Sequence, residues 1–259
     1  MKRIPTILIF ALALLGGGEA CAQHYTGVRA GFGGGTARLY PNADMRYLWG
    51  MPNFGLSWKY YSEERVVGAV EADLEYMQRG FKRIGQDNPN DPGDTTTYRR
   101  TVSSFMLPFS WHPHVYLFNR SMRVFINAGI TLSYNFSSRE SLHHQDGTLA
   151  YDRLRPFQTN RDNSWGYGLM GGFGVSYLTG RYEFFAEARY YFGYSDVLKN
   201  RDVYPANPLR SPVDNVNLSL GLFYRIDPRE ILSRPSAPRI KIKDNTPQHF
   251  ESTGGGRRR

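Results

Sequence analysis

The chain has a single cysteine, Cys21, and it sits inside a segment with the grammar of an export signal. Lys2 and Arg3 give a basic start, residues 7–15 an apolar core, and Ala20-Cys21-Ala22 an A-x-A cleavage site. Gly18-Glu19-Ala20 lacks the aliphatic start expected of a lipidation site, so residues 1–22 are expected to be a signal peptide. A mature chain from Gln23 then has no thiol. That excludes disulfides, a cysteine nucleophile and Cys-based metal centres. Beyond the leader the chain also lacks a run of about 18 apolar residues, which excludes a membrane-spanning helix. It has no phosphate-binding loop and no dinucleotide fingerprint.

What it has instead is alternation. Residues 124–136 (VFINAGITLSYNF) put Val124, Ile126, Ala128, Ile130, Leu132, Tyr134 and Phe136 on one side of a strand, with small polar residues opposite. Only Phe125 breaks the pattern. Side chains on a strand project with period two, so this is a ribbon with one apolar and one polar face. Such a ribbon fits either a half-buried soluble sheet or a wall between lipid and a polar barrel interior. The composition has 18 Tyr, 16 Phe and 27 Gly, yet mean hydropathy is −0.50. That combination favours a barrel, because inward polar residues and long loops average away an outward apolar face. A chain that enters a membrane without helices must close into a barrel, since every backbone group in lipid needs an internal partner.

Eight strands are predicted, near residues 25–37, 51–61, 66–82, 99–113, 123–136, 164–178, 182–195 and 214–226. The connections after the second, fourth and sixth are short, and those after the first, third, fifth and seventh are long and polar. Aromatic residues cluster at both ends of the apolar stripes: Trp58, Tyr60, Trp111, Tyr177, Tyr182 and Tyr224 at one end, Tyr134, Phe136, Trp165, Tyr167, Tyr190, Phe192 and Tyr194 at the other. Interfacial belts need that placement, whereas a soluble lipocalin-like barrel has no use for it. The expectation is therefore all-β: an eight-stranded antiparallel transmembrane β-barrel over residues 23–226, with short periplasmic turns, long extracellular loops and both chain ends in the periplasm.

Charges alternate against the apolar face. Glu71, Asp73, Glu75, Glu183, Glu187 and Arg189, with Arg29, Lys59 and Arg225, are expected to point inward, because a charge facing the bilayer core costs on the order of 2–4 kcal/mol. An eight-strand interior is just wide enough for side chains to fill, so these groups should form an ion network leaving little continuous water path. A selectivity filter or proton relay is the alternative use of the same residues.

Residues 70–80 (VEADLEYMQRG), Leu107-Pro108-Phe109, Asn127-Ala128-Gly129, residues 171–177 (GGFGVSY) and 185–193 (FAEARYYFG) together resemble the PorT-like outer-membrane β-barrel family of Bacteroidetes. The similarity spans most of residues 25–226. It implies an eight-stranded outer-membrane barrel, often labelled porin-like, in a functionally diverse family whose founding member is linked to the type IX secretion system. It supplies no catalytic constellation.

Loop chemistry is sparse. His143-His144 with Asp146 offer metal ligands, residues 86–94 (QDNPNDPGD) offer calcium-type oxygens without EF-hand spacing, and Ser141, His143 and Asp146 share a loop as nucleophile, base and orienter. Solvated loop residues account for each of these more simply. His112-Pro113-His114 reads as a polar interfacial segment. Residues 227–259 carry eight basic residues against four acidic, with four prolines and a Gly254-Gly255-Gly256 run, and read as a basic, largely disordered periplasmic tail. Within it Arg239, Ile240, Lys241, Ile242 and Lys243 alternate charge with isoleucine, a pattern suited to adding a strand to a partner's sheet edge. The function expected is a non-enzymatic outer-membrane anchor or subunit of an envelope assembly, in contact with membrane lipid and a protein partner, without cofactor or nucleic acid. A narrow porin is the alternative, and a lipid-modifying enzyme comes third.

Overall fold

A computed structural model describes residues 23–41, 45–61, 68–86, 95–118 and 121–226. The expected leader, the basic tail with its 239–243 segment, and most of the 86–94 loop lie outside them. The described residues form strands β1 (Gln23–Ala37), β2 (Met45–Tyr61), β3 (Ala69–Gln86), β4 (Thr95–His112), β5 (His114–Leu117), β6 (Met122–His143), β7 (Leu149–Arg155), β8 (Trp165–Thr179), β9 (Tyr182–Gly193) and β10 (Val213–Ile226), and no helix.

Eight of these close a ring. Neighbours pair antiparallel in the order β1, β2, β3, β4, β6, β8, β9, β10 and back to β1. The two extra segments extend staves rather than add to the ring. Pro113 cannot donate to a ladder; β4 breaks there, and β5 resumes the same stave by pairing with the start of β6, from His114 opposite Phe125 to Leu117 opposite Met122. β7 folds back on the far end of β6 as a hairpin.

The strands run further toward the long-loop end than the alternation suggests. β2 begins at Met45 rather than near 51, β4 at Thr95 rather than 99, and β6 continues to His143 rather than 136. The connection after β1 is accordingly short, not long. A transmembrane strand needs only about 9–11 residues, so the 22 residues of β6 carry the wall well past a bilayer. There the outward face no longer meets the hydrocarbon core, and apolar alternation stops marking the strand.

Inside and outside follow the register. Val28, Leu56, Phe109, Ile130, Leu132, Phe173, Phe184 and Leu220 face outward and stay exposed, Leu220 at 68%. Asp73, Glu187 and Arg189 face inward and are buried. Phe125, the one exception in its strand, is buried because it faces the lumen, where its ring stacks on His112 at 5.2 Å. A β-bulge near Ser137 shifts the parity of β6, so that beyond it Arg139 points out and Glu140 in.

The outward face permits a direct prediction. Leu220→Arg is expected to lower the stability of the barrel refolded in lipid vesicles by about 2–4 kcal/mol, measured by denaturant titration. The same change at Ser219, which faces the polar interior, tests a different term, because there the new charge competes with Arg29 and its acids.

Candidate functional site

The lumen is filled in layers, and the middle layer is ionic. Glu71, Asp73 and Glu75 stand on alternate positions of β3, so all three enter the lumen from one stave. Arg29 of β1 and Arg189 of β9 reach across to them. Arg29 Nη1 lies 2.6 Å from Glu187 Oε1 and 3.0 Å from Glu75 Oε1, its Nη2 also donates to Glu71, and its Nε donates to Ser57 Oγ at 2.9 Å. Arg189 contacts four carboxylates: Asp73 at 2.6 Å, Glu187 at 2.7 Å, Glu71 at 2.9 Å and Glu75 at 3.0 Å. Charge-assisted contacts of this length are roughly twice as strong as neutral ones. Inward glycines leave room for these long side chains; a Cβ at Gly221 would lie 2.3 Å from the Phe185 ring.

Toward the short-turn end the charges pass into aromatic rings. Lys59 Nζ lies 3.3 Å from Glu71 and 3.6 Å from Glu183, and 4.0 Å from the centre of the Phe223 ring. Tyr25, Tyr61, Ala69, Phe185 and Phe223 pack into a floor. Arg123 bonds Glu183 at 3.2 Å, donates to the Tyr61 hydroxyl and stacks over its ring.

Toward the long-loop end Met77, Met106, Met170 and Tyr191 form a thioether layer. Beside it Arg79 donates to Asn135 Oδ1 at 2.6 Å and, at 3.4 Å, to Ser104 and Ser133. Among the described residues no carboxylate pairs with it. Above lies an apolar layer of Ala37, Phe81, Val102, Val213 and Val197, the last brought in by the β9–β10 connection, with Phe157 of the β7–β8 connection packed against it. Those two connections are tied together: Asn207 Nδ2 donates to the carbonyls of Arg161 at 2.9 Å and Lys199 at 2.8 Å. Asp162 anchors them, taking bonds from Arg161 Nη2 at 2.6 Å and the Gln158 amide at 3.0 Å, with Arg100 at 3.4 Å.

Burial pushes the Asp162 carboxyl up, but the Arg161 hydrogen bonds, the Gln158 amide and the Arg100 charge outweigh it and hold the group below the usual carboxylate range. Its pairs therefore stabilise the closed loop end at neutral pH, and that contribution is lost as pH falls below about 4 toward the folded value. Pepsin cleavage beside Phe157, normalised to an unfolded substrate, should accelerate between pH 4 and pH 2 in the wild type. Asp162→Asn should be cut equally fast at both.

Of the residues singled out from sequence, Arg29, Lys59, Glu71, Asp73, Glu75, Glu183, Glu187 and Arg189 meet in the lumen. Arg225 is placed nearer the end of its strand. It lies half-buried at the short-turn mouth, opposite Tyr25, because β10 is nearly at its end there. His112 corrects the interfacial reading of its segment: it is buried, 3.0 Å from Glu71 Oε2 and 3.0 Å from Ser110 Oγ. Sequence reading missed Arg123, Arg79 and Arg100. The first two fall on the polar phase of strands already predicted, so strict use of parity finds them. Arg100 also lies within the predicted 99–113 strand on its polar phase, so the same rule finds it.

The loop candidates do not assemble. Asp146 accepts bonds from Thr148 N at 2.8 Å and Thr148 Oγ1 at 2.6 Å, closing a turn at Gly147. Those bonds hold its carboxyl below the ordinary value. Ser141 lies opposite Arg99 and Asp152 on strand rungs, away from that turn. Among the described residues no group of three or more His, Cys, Asp or Glu is placed to hold a metal ion.

A closed antiparallel ring that exposes Leu132, Leu220 and Phe173 on its outer wall and buries two arginines among four carboxylates is built as a transmembrane β-barrel, because soluble proteins rarely expose a contiguous apolar belt of this kind. Residues 22–199 match the family model described as outer membrane protein beta-barrel domain, and the chain belongs to that family. It is an outer-membrane barrel. Similar solved structures include a major outer membrane protein from Thermus thermophilus (12% identity, 78% of this chain and 99% of that one, TM-score 0.41). Others are Neisserial surface protein A (14%, 79% and 99%, 0.37) and the outer membrane protein OprG from Pseudomonas aeruginosa (12%, 81% and 98%, 0.35). The family match, rather than these low-scoring likenesses, carries the assignment. No curated protein matches the chain.

Proposed function

We propose that the barrel is a non-enzymatic anchor or subunit of an envelope assembly of the PorT-like, secretion-related kind. One observation carries this reading: the lumen's charges are spent on one another. Arg29 and Arg189 between them contact all four central carboxylates, and aromatic and apolar layers lie on either side of them. Groups engaged in this way are not aimed at a substrate, and a permeating ion would have to break them. In this reading the short turns and both termini face the periplasm, and the basic tail reaches a periplasmic protein through residues 239–243, with Ile240 and Ile242 on one face of an added strand and Arg239, Lys241 and Lys243 on the other.

Deleting residues 230–259 should leave heat-modifiable migration intact while abolishing crosslinked co-purification of at least one envelope protein. Retention of every partner would reduce the tail to an unstructured end. Orientation has its own test, because the mature chain has no cysteine: Gln145→Cys should react with an impermeant maleimide on intact cells. Reproducible ion-selective conductance of the wild-type barrel in planar bilayers would replace the anchor by a narrow channel.

A further inference from the structure

The outer wall changes character in one row near the long-loop end. Arg46 of β2 stands directly across from Lys82 of β3, and Lys82 directly across from Arg99 of β4. Three cations thus occupy consecutive places on one face. Every other outward residue on the described lengths of β3 and β4 is uncharged. Like charges directly opposite each other weaken a sheet, and among the described residues no carboxylate pairs with any of the three. The next stave is treated differently: Arg139 of β6 is held from two sides by Asp152 of β7, with Nε to Oδ1 at 2.7 Å and Nη2 to Oδ2. The fold neutralises the outward cation on β6, whereas among the described residues the cations on β2 to β4 have no carboxylate partner.

The height of the row indicates what it meets. Tyr76, Phe105 and Phe136 form a ring cluster on the outward face, with Phe105 and Phe136 stacked at 5.0 Å. Lys82 and Arg99 each lie six residues beyond their strand's member of that cluster. Six residues span about 20 Å along a strand, or about 14 Å along the membrane normal at a tilt of about 45°. Long Arg and Lys stems bend back toward the apolar boundary, which brings their charges to headgroup level. The side chains point away from the barrel axis, toward the surrounding leaflet rather than into the mouth.

We propose that Arg46, Lys82 and Arg99 form a site for the phosphate of a glycolipid headgroup in the leaflet around the long-loop end. This rests on the transmembrane reading of the barrel and on nothing about the tail or its partner. One phosphate can take bidentate bonds from each arginine with Lys82 between them as a point charge, and it converts the repulsion of the free row into attraction.

The test titrates refolded full-length barrel in nonionic micelles with fluorescent lipid A, with its phosphates and after their removal. The wild type should bind the phosphorylated form at least fivefold more tightly. Arg46→Gln/Lys82→Gln/Arg99→Gln should lose that preference, Lys82→Gln alone should lose part of it, and Arg153→Gln/Lys199→Gln/Arg201→Gln should keep it. The row variant removes repulsion, so its heat-modifiable migration should match or exceed the wild type's. Equal binding of dephosphorylated lipid A, an unchanged row variant, or an equal loss in the control variant would overturn the proposal. So would row-dependent binding of a soluble sulfated heparin fragment in place of lipid A. If the chain were not a membrane barrel, heat-modifiable migration itself would be missing, which separates that failure from this one.

Discussion

Arg189→Met is expected to destabilise the refolded barrel by roughly 3–5 kcal/mol, the scale for removing one partner of a buried ion pair. Arg189 is 1% exposed, and its guanidinium is shared among Asp73, Glu187, Glu71 and Glu75. Arg29 remains after the substitution and still touches Glu187, Glu75 and Glu71, but Asp73 then has only the longer 3.6 Å contact to it. The lumen would keep Arg29, Lys59 and Arg123 against five carboxylates. Methionine fills much of the arginine's volume, so the loss reports charge rather than a hole. Removing the orphan as well should reverse it: Arg189→Met/Asp73→Leu is expected to recover at least half of the lost stability, because an apolar replacement of a whole buried pair is often neutral. Denaturant titrations of the wild type, both single variants and the double variant complete the cycle. A loss under about 1 kcal/mol for Arg189→Met would mean that water reaches the network and screens it, which is the condition the channel reading requires.

The parts of this barrel legible from sequence are those where lipid imposes a rule. Between the aromatic belts an outward residue must be apolar and an inward one need not be, so Leu132, Leu220 and Phe184 could be assigned a face from parity alone, and Asp73 and Glu187 followed. Phe125 shows the limit even there, since a lumen this narrow also accepts an aromatic ring where it can lie against His112 and Lys59. Beyond the outer belt the rule lapses. Thr95 to Ser104 on β4 carries hydroxyls on both faces, and Leu149 to Arg155 on β7 mixes apolar and charged residues without phase, so neither announces a strand. Val197 and Phe157 close the long-loop end from connections whose local sequence reads as polar loop. Their role depends on long-range pairing, as in the bonds of Asn207 to Arg161 and Lys199, which no local pattern encodes. The row of Arg46, Lys82 and Arg99 was hidden for a related reason: its members are far apart in the chain and meet only through register.

Phe223→Ala is the second large effect expected, again roughly 3–5 kcal/mol, now from lost packing. The ring is fully buried, 5.0 Å from Phe185, with Lys59 Nζ 4.0 Å from its centre. Truncation removes the transfer energy of the ring, leaves a cavity in the floor, and strips Lys59 of a cation–π contact worth about 0.5–2 kcal/mol. Phe223→Leu keeps most of the volume and should cost clearly less, and the residual loss measures the ring's electrostatic share. The neighbouring strand sharpens the test. Gly27 is the direct cross-strand partner of Phe223, and a Cβ there would lie 2.5 Å from both the ring and the Leu222 carbonyl oxygen. Gly27→Ala alone should cost about 1–3 kcal/mol by overpacking. Combined with Phe223→Ala it should cost less than the sum, because one of its two clashes is gone while the carbonyl remains. Conductance separates the floor from the ionic layer behind it. With Arg29 and Arg189 still crossing the lumen, Phe223→Ala is expected to remain closed in planar bilayers, whereas an open current from this variant would make the aromatic floor the seal of the barrel.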